Sequence, residues 1–244
     1  MKFALVGQSL SHSFSKTYFQ DKFTRLGLSE FSYENLEFAS ESELIDSFPK
    51  IKERFQGINI TIPYKKTLIP YLDNIDNTAK EIGAINCIAF KNGKSYGYNT
   101  DYLGFYDSIK KKTFSKQRQA LILGNGGAAE AIKYVVSNLL EMPYRIADRK
   151  ATDIDWAELP QLDLAQFSLI INTTPIGMSK NLSESPPIFY TSAVHDTLFV
   201  DLIYNPMITQ YLEQADAHGF MIINGLPMLH NQAEYAWNIW TTQN

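Results

Sequence analysis

Polar side chains and a lysine lie in and just after an otherwise apolar strand in the first half of the chain. The segment 57–62 alternates isoleucine with polar residues, so Asn59 and Thr61 share one strand face. Lys65 follows just past Pro63. Hydrogen-bonding groups beside an ammonium can line a pocket for a polar ligand. The alternative is two satisfied core polar groups and an exposed lysine, and the spacing leaves both interpretations open.

Further hydrogen-bonding groups stand where helices are expected to begin. The run 11–15, Ser-His-Ser-Phe-Ser, leads into a helix. Ser15 is either the N-cap of this helix or part of a binding site for a carboxylate. In the second case Ser13 and Ser15 would donate hydrogen bonds at the positive end of the helix. Asp101 is open to the same two interpretations at a later helix start. Asn86 lies in an apolar strand, where a buried amide needs a partner.

A glycine-rich turn in the second half of the chain points to a nucleotide. Gly124, Gly126 and Ala129 form the pattern Gly-x-Gly-x-x-Ala, after an apolar strand and at the start of a helix. Small residues there let the backbone approach a pyrophosphate, which the positive helix end attracts. The pattern favours a dinucleotide cofactor over a strand–helix turn without a ligand.

The end of the next strand carries mixed signals for the choice of nucleotide. Asp148 closes the strand, and Arg149 and Lys150 follow it, close to the offset at which ribose recognition is expected. An aspartate there accepts hydrogen bonds from a ribose 2′-hydroxyl and favours NAD, whereas cations suit the 2′-phosphate of NADP. The three residues favour NADP, with NAD or a merely solvated loop as alternatives.

The elements that must hold these residues alternate between strand and helix. The Asn92-Gly93 pair predicts a tight hairpin, and Pro49 is expected to break or restart the second helix. This alternation predicts an α/β protein of two domains with mostly parallel sheets covered on both faces. The strands are predicted at 3–7, 31–38, 57–62, 85–90, 95–98, 120–123, 144–147, 169–172, 198–203 and 220–223, and the main helices at 15–26, 44–55, 101–112, 128–140, 209–218 and 228–240.

Composition excludes several classes of protein. The 244 residues include 22 Lys and Arg and 26 Asp and Glu, which gives a formal net charge of -4. The chain therefore lacks the excess of positive charge that is typical of nucleic-acid-binding proteins. One cysteine excludes a disulfide framework, and four scattered histidines show no metal-ligand spacing. The apolar stretch after Met1 is too short for a signal peptide or a membrane span. We therefore expect a cytoplasmic globular protein with no metal, nucleic-acid partner or membrane.

Taken in order along the chain, these residues resemble the shikimate dehydrogenase family. The resemblance covers essentially the whole chain, and the ordered set around Lys65 and Asp101 is far more specific than the glycine turn. The matching motifs are Ser11-His12-Ser13-x-Ser15, Asn59-x-Thr61-x-Pro63-x-Lys65, Gly83-Ala84-x-Asn86, Asn99-Thr100-Asp101, Gly124-x-Gly126-Gly127-Ala128, Asn172-Thr173-Thr174-Pro175-x-Gly177-Met178, Asp201-Leu202-Ile203-Tyr204-Asn205-Pro206 and Gly225-Leu226-x-Met228-Leu229 with Gln232.

The resemblance implies reversible, NADPH-dependent reduction of 3-dehydroshikimate to shikimate, in the shikimate pathway of aromatic amino-acid biosynthesis. It also implies that Lys65 and Asp101 are the catalytic pair. Reduction of a ketone creates an alkoxide, and an ammonium at Lys65 can stabilise that charge and donate the proton. Asp101 would orient Lys65 and hold a neighbouring substrate hydroxyl.

The resemblance further implies a substrate-binding domain of residues 1–101 plus 226–244 and a Rossmann-type NADP-binding domain of residues 102–225. The active site would lie in the cleft between them, in a monomer or homodimer. The implied substrate-binding residues are Ser13, Ser15, Asn59, Thr61, Lys65, Asn86, Asp101, Tyr204 and Gln232. The implied cofactor-binding residues are Gly124, Asn125, Gly126, Gly127, Ala128, Asp148, Arg149, Lys150, Thr173, Ile203, Gly225 and Met228.

Two departures from the family pattern affect these expectations. Family members that use NADP usually carry Asn-Arg-Thr at positions 148–150, so an NAD-preferring quinate/shikimate dehydrogenase stays an alternative. The segment 151–167 is short for a full crossover, so the cofactor domain is expected to be trimmed there. A non-catalytic ligand sensor is a third hypothesis, against which the retention of both Lys65 and Asp101 argues.

Overall fold

The chain divides into two compact units. The first contains Met1–Thr100 together with the chain from Ala233 onward, and the second contains Asp101–Gln232. The last helix begins in one unit and ends in the other, so this division falls later than residue 226, the boundary that the resemblance implies. The computed structural model describes residues 1–10, 13–178 and 182–242.

The first unit is built on a mixed sheet. Its elements in chain order are β1 (Lys2–Gly7), α1 (Phe14–Arg25), β2 (Ser32–Glu37), α2 (Glu41–Arg54), β3 (Gly57–Ile60), β4 (Asn74–Ile75), α3 (Asn77–Ile82), β5 (Cys87–Lys91) and β6 (Lys94–Tyr98). The strand order is β2-β1-β3-β5-β6-β4. β1 pairs in parallel with β2 and β3, as β4 does with β6, and β5 pairs antiparallel with β3 and β6. The predicted hairpin is confirmed, because Asn92 and Gly93 both have positive φ, as a type I′ turn requires.

Pro49 does not break α2, so the predicted interruption is wrong. The helix runs from Glu41 to Arg54 with Pro49 inside it. Leu44 and Ile51, on either side of the proline, are both buried in the same apolar core. Tertiary packing of both halves of the helix outweighs the backbone hydrogen bond that proline cannot donate.

The two faces of the first sheet pack against two different apolar clusters. Ile58 and Ile60 of β3 lie in one apolar core, which confirms the predicted alternation as far as Ile60. The predicted strand 57–62 is too long, because β3 ends at Ile60 and Ile62 is 67% exposed in the turn before Pro63. Asn59 lies on the opposite face, in register with Leu5 of β1. Aromatic side chains dominate that face; they include Phe3, Phe19, Phe23, Tyr33 and Trp240. Asn59 is therefore a polar group in largely apolar surroundings.

The second unit holds a parallel sheet. Its elements are α4 (Asp101–Ile109), β7 (Gln119–Leu123), α5 (Gly127–Tyr134), β8 (Tyr144–Asp148), β9 (Ile154–Asp155), β10 (Phe167–Asn172), β11 (Leu198–Asp201), α6 (Gln210–Ala217), β12 (Met221–Ile223) and the start of α7 (Leu226–Thr241). The strand order is β12-β11-β10-β7-β8-β9, and each pair of neighbours is parallel. Buried apolar clusters lie on both faces. The predicted two-domain α/β fold with parallel-rich sheets is confirmed.

The crossover between β9 and β10 is shortened, as the sequence predicts. Two short 3-10 helices, Trp156–Gln161 and Leu164–Gln166, replace a full α-helix in this stretch, all of which the structure describes. Leu159 and Leu164 are fully buried against the second sheet. These short turns therefore cover the sheet where a longer helix would otherwise lie.

Candidate active site

Asn59 is the centre of a buried hydrogen-bond chain in the first unit. Its side-chain oxygen accepts from the Tyr33 hydroxyl at 2.8 Å, and its side-chain nitrogen donates to the backbone oxygen of Asn86 at 3.1 Å. Burial raises the pKa of the Tyr33 phenol well above its ordinary value. The phenol therefore stays protonated at physiological pH and acts as a hydrogen-bond donor.

Asn86 extends this chain to the end of the first unit. Its side-chain oxygen accepts from the backbone N–H of Thr100 at 2.6 Å, and its side-chain nitrogen donates to the Thr100 hydroxyl at 3.0 Å. Both residues are buried. These bonds give the Asn86 amide the partner that the sequence predicts it to need. Asp101 follows directly as the first residue of α4. Asn86 thus fixes the backbone immediately before the predicted catalytic carboxylate.

Ser13 and Ser15 lie at the start of α1; Ser11 and His12 lie outside the described residues. The N-cap is Ser13 and not Ser15, which is inside the helix and buried. Ser13 makes no side-chain cap bond, and its buried hydroxyl has no hydrogen-bond partner among the residues that the structure describes. An unpaired buried hydroxyl costs free energy unless a ligand satisfies it, so this site is suited to an anionic group.

Thr61 and Lys65 lie in the turn that follows β3. The Thr61 N–H donates to the Val6 backbone oxygen, and the Ile85 N–H donates to the Lys65 backbone oxygen, both at 2.9 Å. Both side chains are half-buried. The turn is thus tied to β1 on one side and to the segment before β5 on the other, which fixes the backbone that carries the Lys65 ammonium.

In the second unit, the glycine-rich turn joins β7 to α5. Gly124 has a φ of +100°, and a Cβ there would meet Thr174 Cγ2 at 2.7 Å, so the position requires glycine. A Cβ on Gly126 or Gly127, in contrast, would meet no described atom within 4 Å. Gly126 is also the N-cap of α5, and as a glycine it has no side chain to cap the first N–H groups of the helix. This open helix start fits the pyrophosphate of a dinucleotide.

The turn after β8 is organised around the Asp148 carboxylate. Its Oδ1 accepts from the backbone N–H groups of Lys150 and Thr152, each at 3.0 Å, and its Oδ2 accepts from the Thr152 hydroxyl at 2.7 Å. The bond from the Thr152 N–H contributes most to lowering the pKa of Asp148, and the Asn125 amide adds to it. Arg149 and Lys150 are exposed, and neither forms an ion pair within the described part of the chain.

A buried pair joins two loops at one edge of the second sheet. Asn172 donates its side-chain N–H to Asp201 Oδ1 at 3.1 Å, and the same carboxylate accepts from the Ile203 N–H at 3.0 Å and the Thr209 hydroxyl at 2.6 Å. Burial raises the pKa of Asp201 to about 6 although these bonds oppose the shift. The pair fixes the turn that carries Ile203 and Tyr204.

The remaining predicted cofactor residues lie at the carboxyl ends of the parallel strands, the edge at which α/β sheets bind ligands. Thr173 follows β10, and both its hydroxyl and its N–H donate to the backbone oxygen of Leu123 in β7. Gly225 follows β12, and a Cβ there would overlap the Leu202 backbone oxygen, so only glycine fits. Met228, on α7, packs against the apolar cluster on one face of the sheet.

Asp101 and Gln232 lie on helices that cross closely within the second unit. A Cβ on Gly104 of α4 would meet the backbone oxygen of Met228 in α7 at 2.7 Å. Asp101 and Gln232 are 7% and 9% exposed. Tyr204, in the same unit, is half-buried, and burial raises its pKa. The second unit thus supplies three of the predicted substrate residues; the first supplies Ser13, Ser15, Asn59, Thr61, Lys65 and Asn86.

The described residues contain neither a candidate metal site nor a candidate membrane span. In residues 1–10, 13–178 and 182–242, no group of three or more His, Cys, Asp or Glu side chains could hold a metal ion. Across those same residues, no helix is long and apolar enough to cross a bilayer. Cys87 is fully buried. The predicted substrate and catalytic side chains carry hydroxyl, amide, ammonium and carboxylate groups.

Comparison with known proteins decides the family. Residues 5–88 match the model of the shikimate dehydrogenase substrate binding domain. The shikimate dehydrogenase (NADP(+)) of Staphylococcus aureus (strain bovine RF122 / ET3-1) is 36% identical over 254 residues, covering 100% of this chain and 93% of that protein. The chain belongs to the shikimate dehydrogenase family.

Solved shikimate dehydrogenases also share the fold of this family member. The enzyme of Aquifex aeolicus has a TM-score of 0.84 and 31% identity, with 99% of this chain and 92% of that chain covered. The enzyme of Thermus thermophilus, solved with NADP(H) and shikimate, has a TM-score of 0.86 and 27% identity, with 99% and 93% covered. The similarity therefore extends over both units.

Sequence reasoning did not identify two polar residues of the candidate site in this member of the shikimate dehydrogenase family. Tyr33 looks like an ordinary core aromatic in β2, and its contact with Asn59 arises only when β2 and β3 pair with opposite sides of β1. Thr152 looks like a loop residue. Its position four residues after Asp148, in a turn, was the available signal for a side-chain-capped loop.

Proposed function

We propose that this protein is an NADP-dependent shikimate dehydrogenase that reversibly reduces 3-dehydroshikimate to shikimate. The observation that carries the proposal is the buried polar chain from Tyr33 through Asn59 and Asn86 to Thr100, in a chain that matches shikimate dehydrogenases over its whole length. A polyhydroxylated ring needs neutral donors and acceptors. Buried ones also enforce selectivity, because a ligand that lacks a matching hydroxyl leaves them unpaired.

The substrate carboxylate is assigned to the start of α1. Ser13 offers a buried hydroxyl whose partner is not found among the described residues, and Ser15 follows in the first turn of the same helix. Tyr204 is proposed as a further donor to the carboxylate. Asn59, Thr61, Asn86 and Gln232 are proposed to bind the hydroxyls of the ring.

Lys65 is proposed to move the proton. NADPH, when bound, supplies the hydride to the ketone carbon. The Lys65 ammonium then gives one proton to the oxygen that becomes the hydroxyl, and in the oxidation direction the Lys65 amine takes that proton back. Asp101 is proposed to orient Lys65 and to accept a hydrogen bond from a neighbouring substrate hydroxyl. Its backbone position is supported by the Asn86–Thr100 bonds.

NADP is the proposed nucleotide. Gly124, Asn125 and the open start of α5 at Gly126, Gly127 and Ala128 are assigned to the pyrophosphate, and Arg149 and Lys150 to the 2′-phosphate. Thr173, Ile203, Gly225 and Met228 are assigned to the nicotinamide side. The engagement of Asp148 by its own turn supports NADP over NAD, because the carboxylate that would favour NAD already accepts three hydrogen bonds.

Initial rates with each combination of shikimate or quinate and NADP or NAD test this function. We expect the highest kcat/KM with shikimate and NADP. Faster turnover with quinate and NAD would establish the alternative dehydrogenase of the same family. Ligand binding without turnover in any combination would instead establish the sensor hypothesis.

A further inference from the structure

Tyr33 is a buried aromatic residue that none of the family motifs includes. It pairs in register with Phe3 of β1, while Asn59 pairs with Leu5 of the same strand, so both side chains stand on one face of the sheet. The Tyr33 ring stacks on Phe19 of α1, with centroids 4.6 Å apart and the planes 14° from parallel. The ring is thus held between the sheet and α1.

The Tyr33 hydroxyl has a polar partner in these apolar surroundings. It donates to Asn59 Oδ1 at 2.8 Å. Tyr33 is only 2% exposed, and Asn59 is 5% exposed. A phenylalanine would fill the same aromatic space without burying a phenol, so packing alone does not explain the hydroxyl.

We infer that Tyr33 is a positioning residue for the substrate, whose hydroxyl holds the Asn59 amide in one fixed orientation. The inference rests on the proposed function, in which Asn59 serves the ring hydroxyls. The donor order also fixes the Asn59 amide. Its oxygen faces Tyr33, its nitrogen faces Asn86, and its second N–H has no protein acceptor within the described part of the chain. Tyr33 therefore determines which hydrogen-bonding group Asn59 presents.

Tyr33→Phe tests the inference, because it removes one oxygen and keeps the ring that stacks on Phe19. We expect the KM and the calorimetric dissociation constant for shikimate to rise roughly ten-fold, with kcat within about two-fold and the KM for NADP unchanged. KM does not depend on the fraction of folded enzyme, so a loss of stability alone would lower the apparent kcat and leave KM unchanged.

Tyr211→Phe is the matched control. Tyr211 is also fully buried, and its hydroxyl donates to the Ile170 backbone oxygen at 2.9 Å in the core of the second unit. We expect this variant to lose stability and to keep the KM for shikimate. Asn59→Ala combined with Tyr33→Phe should raise the KM by less than the product of the two single effects, since the Tyr33 hydroxyl acts through Asn59.

The outcomes separate the inference from the function on which it rests. A wild-type chain that does not oxidise shikimate contradicts the proposed function. An active wild type, with an unchanged KM and dissociation constant in Tyr33→Phe or fully multiplicative effects in the double variant, overturns the positioning role. A raised KM that is also seen in Tyr211→Phe would overturn it as well, because the effect would then be a general one.

Discussion

Asn172 and Asp201 form a buried hydrogen bond of 3.1 Å between the ends of two neighbouring strands, β10 and β11. The Asn172 oxygen also accepts from the backbone N–H and the hydroxyl of Thr174. One amide therefore connects the loop after β10 to the loop after β11. Thr173 and Ile203, both assigned to the nicotinamide side, lie on these two loops.

The free energy of unfolding of Asp201→Asn should increase relative to that of the wild type as the pH rises. The folded-state pKa of about 6 lies above the ordinary 3.8, so the folded state binds the proton more tightly. The stability that the protonated Asp201 carboxyl contributes to the wild type is therefore fully present below pH 3.8. This contribution is lost as the pH rises through about 6, and the loss is on the order of 2–3 kcal/mol. An asparagine can keep the bonds, with its oxygen facing Ile203 and Asn172 and its nitrogen facing Thr209.

The measurement is the free energy of unfolding of both proteins across this pH range. The difference between variant and wild type should favour the variant increasingly from about pH 4 to about pH 7, and amide hydrogen exchange should localise the change to β10 and β11. A difference that does not vary with pH would show that Asp201 does not titrate in this range.

Asp148→Asn should change the nucleotide preference little. Its oxygen can still accept from the two backbone N–H groups, and its nitrogen can donate to Thr152. We expect the ratio of dissociation constants for adenosine 2′,5′-bisphosphate and AMP, measured by calorimetry, to move by less than about three-fold. Arg149→Ala should instead weaken the bisphosphate by roughly ten-fold or more and leave AMP nearly unchanged. A strong loss of AMP or NAD binding in Asp148→Asn would show that this carboxylate reads the ribose.

Gly57→Ala should destabilise the first unit. A Cβ at this position would overlap Trp240 Nε1, and the indole N–H donates to the Ile88 backbone oxygen at 3.0 Å, so the ring is held against the sheet. We expect a loss of about 1–3 kcal/mol in the free energy of unfolding. Trp240→Phe combined with Gly57→Ala should cost less than the sum of the single changes, because the smaller ring relieves the overlap. Additive costs would mean that the strand moves away from the helix.

Much of the fold was predictable because local chemistry determined it. Asn92 and Gly93 are the residues that a type I′ turn requires, and the alternation along β3 separates Ile58 and Ile60 from Asn59. The glycine-rich turn that begins at Gly124 could also be predicted, because it lies between an apolar strand and the start of a helix. In these cases the neighbouring residues and the tertiary structure favour the same conformation.

The parts that could not be predicted depend on residues distant in the sequence. Helix α2 continues through Pro49 only because both of its halves are packed on the sheet. Tyr33 and Asn59 are brought together by the pairing of two strands with opposite sides of a third. The Asp148 carboxylate looks free for a ribose in the sequence, whereas its turn already uses it. Hydrogen bonds between residues so distant in the sequence produce no local sequence pattern from which they could be predicted.

Replacement of Lys65 tests the proposed chemistry most directly. Lys65→Ala removes the proton donor, whereas Lys66→Ala is a matched control, because Lys66 is its exposed neighbour in the same turn. With shikimate and NADP, the wild type should form NADPH and 3-dehydroshikimate in equal amounts. We expect kcat to fall by roughly a hundred-fold or more in Lys65→Ala, with shikimate binding still measurable, and to stay near the wild-type value in Lys66→Ala. Full activity in Lys65→Ala, or no 3-dehydroshikimate from the wild type, would contradict the proposed mechanism.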